Sequence, residues 1–239
     1  MSDPSPIIPA RMPEPRIHKA GASDATAWIA AGWESFKRAP GAWMGILVVF
    51  VLLNLVAGFI PFAAGSLVMT VLGPVFTFGW LLGVRDLDAG KKLTVGHLFA
   101  GFINPQRNNL ILLGAVSLLA YVSLALVAVS AIGGAAPGAI EVAPFALLVL
   151  LVLLVPVMAA FLFAAPLVGF DRQPIGTALR LSFNATSRNW LSLLIWSLLG
   201  LALTLLGALP FGLGLLVVAP VLAVSYYRLY QTLFPHATP

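Results

Sequence analysis

Long apolar runs separated by short polar segments dominate the sequence. Each run is apolar on all sides of a helix, whereas a helix of a soluble protein is apolar on one face only. The runs reach the roughly 18–20 residues that a helix needs to cross a bilayer. The pattern predicts an all-α, polytopic membrane protein with six transmembrane helices arranged as three hairpins. The predicted spans are residues 43–60, 64–84, 110–132, 145–170, 191–209 and 212–230.

A polar segment with apolar residues at helical spacing precedes the first span of each hairpin. These segments are too short and too charged to cross a membrane. We expect cytoplasmic amphipathic helices that lie in the headgroup region, with their aromatic residues at the interface. The residues expected to contact lipid or a partner are Trp28, Trp33, Phe36, Lys37, Arg38, Phe99, Phe102, Arg180, Phe183, Arg188 and Trp190.

Features that recur in the three hairpins favour an internal repeat with units at about 23–84, 94–170 and 174–234. A phenylalanine lies seven residues before each of Trp43, Asn109 and Trp190, which open the first spans. Chance regularity among hairpins is the alternative. The units together form one predicted membrane domain, 23–234. It lies between a disordered, proline-rich cytoplasmic tail at 1–22 and a short tail at 235–239.

Prolines interrupt the returning span of each hairpin. Because proline lacks an N–H and its ring clashes with the preceding turn, we expect helix breaks at these positions. Such breaks build midplane sites in some transporters, and simple kinking is the alternative. The predicted breaks are at Pro74, Pro156, Pro166 and Pro220.

Composition and charge support lipid as the surrounding solvent. The mean hydropathy is +1.01 and 9% of residues are charged, against about 25% in soluble proteins. All 13 Lys and Arg residues lie in the N-terminal segment, the C-terminal end or the loops at 85–109 and 171–188. The positive-inside rule therefore predicts cytoplasmic N- and C-termini. Scattered cations at this face favour anionic lipid headgroups over nucleic acid as the partner.

The residues that usually carry chemistry are few. No charged residue or histidine lies in a predicted span, which argues against a proton-coupled carrier or an intramembrane protease. Asp86 and Asp88 lie among cations before His97, and a metal or phosphate site is the alternative to self-neutralising charges there. Cysteine is absent. We expect no enzyme, catalytic residue, cofactor or metal. Asn54 is the intramembrane polar residue to examine, because an amide in lipid needs a partner.

Three stretches carry a family resemblance: 32–40 (GWESFKRAP), 97–102 (HLFAGF), and Ser182-Phe183 with Asn189-Trp190. They resemble an uncharacterised family of proteobacterial inner-membrane proteins. That family is more distantly similar to YciC-like proteins and to the membrane domain of some glycerophosphodiester phosphodiesterases. The resemblance covers about residues 27–234. It implies a bacterial inner-membrane location and a six-helix domain of unknown activity, and it carries no catalytic residues over.

The leading functional hypothesis is a non-enzymatic, lipid- or partner-binding or assembly module that uses the polar lead-in helices and their cations. Membrane lipids with anionic headgroups are the expected partners, together with a possible membrane protein. The alternative is a carrier or channel for a small uncharged or amphiphilic solute, with the proline breaks as its moving parts.

Overall fold

A computed structural model describes residues 14–133 and 142–235 of the chain, and side chains for 14–130 and 148–235. Within these ranges the chain is helical and contains no strand, so the all-α prediction is confirmed. Two short 3₁₀ turns, Pro61–Ala63 and Val95–Phe99, accompany the α-helices. The helices are α1 Asp24–Arg38, α2 Pro40–Gly58, α3 Ala64–Asp88, α4 Ala100–Ile103, α5 Arg107–Gly133, α6 Val142–Leu162, α7 Ala164–Gly169, α8 Ile175–Arg188, α9 Trp190–Ala208 and α10 Leu215–Leu233.

Five helical stretches in the described residues are long and apolar enough to cross a bilayer, as expected of a membrane protein. In four of them only 17–22% of the residues in the most apolar 18-residue window are buried inside the protein, so most of these residues have apolar surface left for lipid. Helix α10 is not among the five, because its second half carries tyrosines and Arg228. The five stretches are Pro40–Gly58, Pro61–Asp88, Arg107–Ser130, Leu148–Gly169 and Trp190–Ala208.

Helix α3 is the centre of the packing. In its stretch 44% of the residues in the most apolar window are buried, the highest share of the five, and α3 contacts α2, α4, α5, α7 and α10. The approach of α5 is close: a Cβ added at Gly114 would lie 1.8 Å from the carbonyl oxygen of Val71. Only glycine at position 114 permits this contact, so the two helices touch backbone to backbone.

The prolines in the spans do not break the helices where the sequence predicts. Helices α3, α6 and α10 continue through Pro74, Pro156 and Pro220. The interruption in the fourth stretch lies at Phe163, between α6 and α7 and three residues before Pro166. The expected breaks at Pro74, Pro156 and Pro220 are therefore wrong: these prolines lie inside continuous helices. Prolines are tolerated there because neighbouring helices in a bundle can satisfy the backbone groups that they free.

The chain before α1 is held against the helices. His18 N–H donates to the carbonyl oxygen of Leu233 at 2.8 Å, and Ala20 N–H donates to Asn189 Oδ1 at 2.7 Å. Ser192 Oγ donates to the carbonyl oxygen of Ala20 at 3.2 Å. The boundary of the predicted tail at 1–22 therefore moves toward the N-terminus. Residues 14–22 contact the helical domain, and residues 1–13 lie outside the described residues.

Candidate functional site

The polar end of the helices is where α1, the 93–106 segment, α8 and the last turns of α3 and α10 meet. Asp88 at the end of α3 accepts hydrogen bonds from Arg38 of α1 at 3.2 Å and Arg228 of α10 at 2.7 Å. One carboxylate thus joins three helices. Its side chain and that of Arg228 are about three-quarters buried, which strengthens the pairing relative to a fully exposed bridge.

A second charged group surrounds Asp86. Lys91 Nζ lies 3.2 Å from Asp86 Oδ1, Arg85 Nη2 lies 3.7 Å from the same oxygen, and His97 Nε2 lies 3.5 Å from Oδ2. The other ring nitrogen of His97 caps the 3₁₀ turn by accepting the N–H of Thr94. The side chain of Asp86 is therefore taken by protein cations. No group of three or more His, Asp or Glu residues that could hold a metal occurs in the described ranges.

An open groove runs beside these charges. Its larger part is a cavity of about 410 Å³ lined by Arg85, His97 and Asn104, among others. A smaller cavity of about 130 Å³ is lined by Arg85 and Asn104 again, with Gln106 and Arg172. Because the two cavities share Arg85, Asn104 and Pro105, we treat them as one surface and call it the Arg85 groove. It gathers two guanidinium groups, two amides, the His97 imidazole and the carboxylate of Asp86, whose charge is offset by Lys91 and Arg85.

An aromatic contact positions the guanidinium of Arg85, and hydrogen bonds on both sides of Arg172 position its backbone. The Arg85 guanidinium carbon lies 5.5 Å from the centre of the Phe170 ring, a cation–π contact. Arg172 has a left-handed backbone with φ of 50°, an uncommon conformation for a residue with a side chain. Hydrogen bonds fix the residues on either side: Gln173 N–H donates to the carbonyl oxygen of Leu167 at 3.0 Å, and the Tyr230 hydroxyl donates to Asp171 Oδ2 at 2.6 Å.

The aromatic residues predicted at the interface divide into two sets. Trp33 and Trp190 are 46% and 62% exposed, and Phe99 and Phe183 are also exposed. Trp28 and Phe36 are only 4% and 6% exposed, and Phe102 is intermediate. The expected surface position of Trp28 and Phe36 is therefore corrected to a core position. Trp28 faces α10 and donates from Nε1 to Thr232 Oγ1 at 3.0 Å.

The basic residues predicted to contact lipid differ in whether they are already paired. Lys37 bonds Glu34 at 2.8 Å, Arg38 bonds Asp88, and Arg180 bonds Glu14 at 2.8 Å. Arg188 is exposed and has no ion pair among the described residues. Sequence reasoning did not single out Arg172, which the loop at 170–174 brings beside Arg85. The signal that could have indicated it is that Arg172 is one of the cations in the predicted cytoplasmic loop at 171–188.

The predicted intramembrane residue Asn54 lies on the exposed side of α2. Its Nδ2 donates to the carbonyl oxygen of Phe50 in the same helix at 2.8 Å. The amide therefore finds a partner in its own backbone and joins no other predicted site residue. Pro156 is also exposed, whereas Pro166 and Pro220 are buried.

Comparisons of the chain with protein-family models, with curated proteins and with solved structures find no match.

Proposed function

We propose that this protein is a non-enzymatic, six-span integral protein of a bacterial inner membrane that binds anionic lipid headgroups in the Arg85 groove. Both termini are cytoplasmic in this proposal, and the spans form three hairpins. The resemblance of residues 27–234 to an inner-membrane family motivates the location. The groove is the observation that carries the function.

An even number of crossings supports α10 as the sixth span. The hydrogen bond from His18 to Leu233 joins the chain before the first span to the end of α10. Two segments that are bonded to each other lie on the same side of the membrane. With five crossings, His18 and Leu233 would lie on opposite sides of the membrane. A sixth crossing by α10 returns Leu233 to the side of His18. The polar second half of α10 is no obstacle, because Arg228 is paired with Asp88.

The chemistry of the groove matches a phosphate group. Arginine presents a planar fork of donors that binds phosphate in a bidentate manner. Arg85 and Arg172 line the smaller cavity together, with the amides of Asn104 and Gln106 as neutral donors or acceptors. The exposed indoles of Trp33 and Trp190 suit the level of the headgroups. In this arrangement the phosphate of a bound lipid contacts Arg85 and Arg172, and its acyl chains lie against the apolar helices.

Native mass spectrometry of the full chain in mixed nanodiscs tests this proposal. In discs of phosphatidylglycerol and phosphatidylcholine, we expect the released protein to retain phosphatidylglycerol. Arg85→Gln and Arg172→Gln should each reduce that retention by about fivefold to tenfold, the loss of one charge-assisted contact. Lys92→Gln is the control, because Lys92 is an exposed cation that does not line the groove and is not among the residues expected to contact lipid. Equal retention of the two lipids, or equal losses in all three variants, would contradict the proposal.

A further inference from the structure

A cavity of about 380 Å³ lies between α3, α5, α10 and the junction of α6 and α7. This volume falls within the range of small-molecule pockets, about 300–1,000 Å³. Its walls are mainly apolar, and none of the described residues that line it is charged. Its polar side chains are the hydroxyl groups of Thr70, Thr77, Ser117, Tyr121 and Tyr226. It is separate from the Arg85 groove, with which it shares no lining residue.

Two carbonyl oxygens beside this cavity lack their usual N–H donor, because in each case the residue four positions further along the chain is a proline. Pro166 has no N–H, so the carbonyl oxygen of Leu162 lacks its usual partner four residues on. The hydroxyl of Tyr226 donates to that oxygen instead. The Leu162 carbonyl is therefore satisfied from a neighbouring helix, as a polar group inside a membrane protein requires.

The corresponding carbonyl in α3 has no such side-chain partner. Pro74 leaves the carbonyl oxygen of Thr70 without the donor four residues on. The Thr70 hydroxyl donates to Ser66 at 2.8 Å, and no side chain in the described ranges donates to the Thr70 carbonyl. A Cβ added at Gly73 would meet nothing within 4 Å, so the face of α3 at Gly73 is open, although α5 contacts α3 at Val71. The cavity occupies the uncovered side.

We propose that this cavity binds a neutral amphiphile that carries a hydroxyl group. The hydroxyl donates to the carbonyl oxygen of Thr70, and the hydrocarbon chain lies along the apolar walls. A charged headgroup does not fit, because it would be desolvated with no counter-charge beside it. A monoacylglycerol and a long-chain alcohol share the required chemistry. The site goes beyond the proposed headgroup groove and does not depend on it.

Photolabelling of the full chain in phosphatidylcholine nanodiscs tests the site. The probes are a monoacylglycerol and a long-chain alcohol, each with a diazirine in the chain, and the methyl ether of the same alcohol. We expect the two hydroxyl probes to label peptides that contain 70–77 and 113–121 about tenfold more than the ether, which cannot donate. The probe that labels more strongly identifies the source of the hydroxyl, and either preference supports the site.

Two variants fill the cavity from different positions. Gly73→Leu should reduce labelling by about tenfold or more, because the added side chain enters the open space beside Pro74. Gly58→Leu is the matched control, since its Cβ also meets nothing within 4 Å and Gly58 does not line the cavity. Thr77→Phe fills the cavity from an exposed position and decides the question if Gly73→Leu does not fold.

Unchanged labelling in folded Gly73→Leu or Thr77→Phe protein would overturn the proposal. Equal labelling by the alcohol and its ether would also overturn it, because the site would then take any apolar chain. Labelling elsewhere in the chain by both hydroxyl probes would do the same. None of these outcomes bears on the retention of phosphatidylglycerol, so the two proposals stand or fall separately.

Discussion

Ser182 of α8 donates a 2.7 Å hydrogen bond to the carbonyl oxygen of Ala159 and accepts a 2.9 Å bond from the N–H of Phe163. These two backbone groups are four residues apart and would bond each other in an unbroken helix. One buried hydroxyl on a different helix therefore replaces the bond lost where α6 ends and α7 begins. This ties the direction of α7, and with it Phe170 and the groove loop, to the placement of α8.

Replacing Ser182 with alanine should destabilise the protein measurably. The change leaves a buried N–H without a partner, since Thr186 Oγ1 reaches only the Ala159 carbonyl, at 3.3 Å. We expect a loss of about 1–3 kcal/mol in the free energy of unfolding. Unfolding in mixed micelles by sodium dodecyl sulfate, followed by tryptophan fluorescence, measures it. Ser187→Ala on the exposed side of α8 is the control, and an equal effect of the two substitutions would contradict the bridging role.

The carboxylate of Asp88 should matter more than a surface acid. Asp88→Ala leaves Arg38 and Arg228 without their shared partner, and we expect a loss of about 1–2 kcal/mol. Glu34→Ala removes the more exposed pair with Lys37 and should change stability by less than about 0.5 kcal/mol. The same unfolding assay compares them. The two arginines should also be coupled in a double-mutant cycle, and strict additivity would count against a shared contact.

The buried side chain of Asn189 should control the segment before α1. Its amide bonds Ala20 N–H at 2.7 Å and the His18 carbonyl at 3.2 Å. Asn189→Ala should release this segment and increase the rate of tryptic cleavage after Lys19 by about fivefold or more, because protease access follows local opening. Asn184→Ala in α8, the helix that ends directly before Asn189, is the matched control. If both variants are cleaved at the wild-type rate, the segment is not held by Asn189.

Five apolar stretches and two of the three helices before them could be predicted, because their signals are local; the predicted helix at the second lead-in is instead a 3₁₀ turn, Val95–Phe99, followed by the four-residue α4. Long apolar runs set the five spanning stretches, and the lead-ins predicted around Trp28 and Phe183 are the helices α1 and α8. The surroundings of these lead-ins could not be predicted. A stripe of apolar residues at helical spacing has the same appearance whether it faces lipid or another helix. Trp28 proved to be buried because α10 packs over it.

Positions that are equivalent in the predicted repeat also differ in their surroundings. Trp43 is fully buried and stacks on Trp80 with 6.3 Å between ring centres, whereas Trp190 is largely exposed. The groove shows the same limit. The sequence places Arg85 directly after the predicted span 64–84, so its location at the polar end could be predicted. Arg172 lies beside it only because of tertiary hydrogen bonds around the 170–174 loop, which the sequence does not show. The repeat remains a prediction, since sequence spacing alone supports it.

Sided labelling of single cysteines tests the central claim, a six-span protein with the Arg85 groove on the cytoplasmic side. The chain contains no cysteine, so each introduced thiol reports one position. Phe62 and Phe211 are fully exposed at turns, and Lys92 and Ser187 are exposed at the polar end. Phe62→Cys and Phe211→Cys should react with a membrane-impermeant maleimide in intact cells. Lys92→Cys and Ser187→Cys should react only after the cells are opened. Labelling of Phe62→Cys and Phe211→Cys from opposite sides, or of Lys92→Cys in intact cells, would contradict the account.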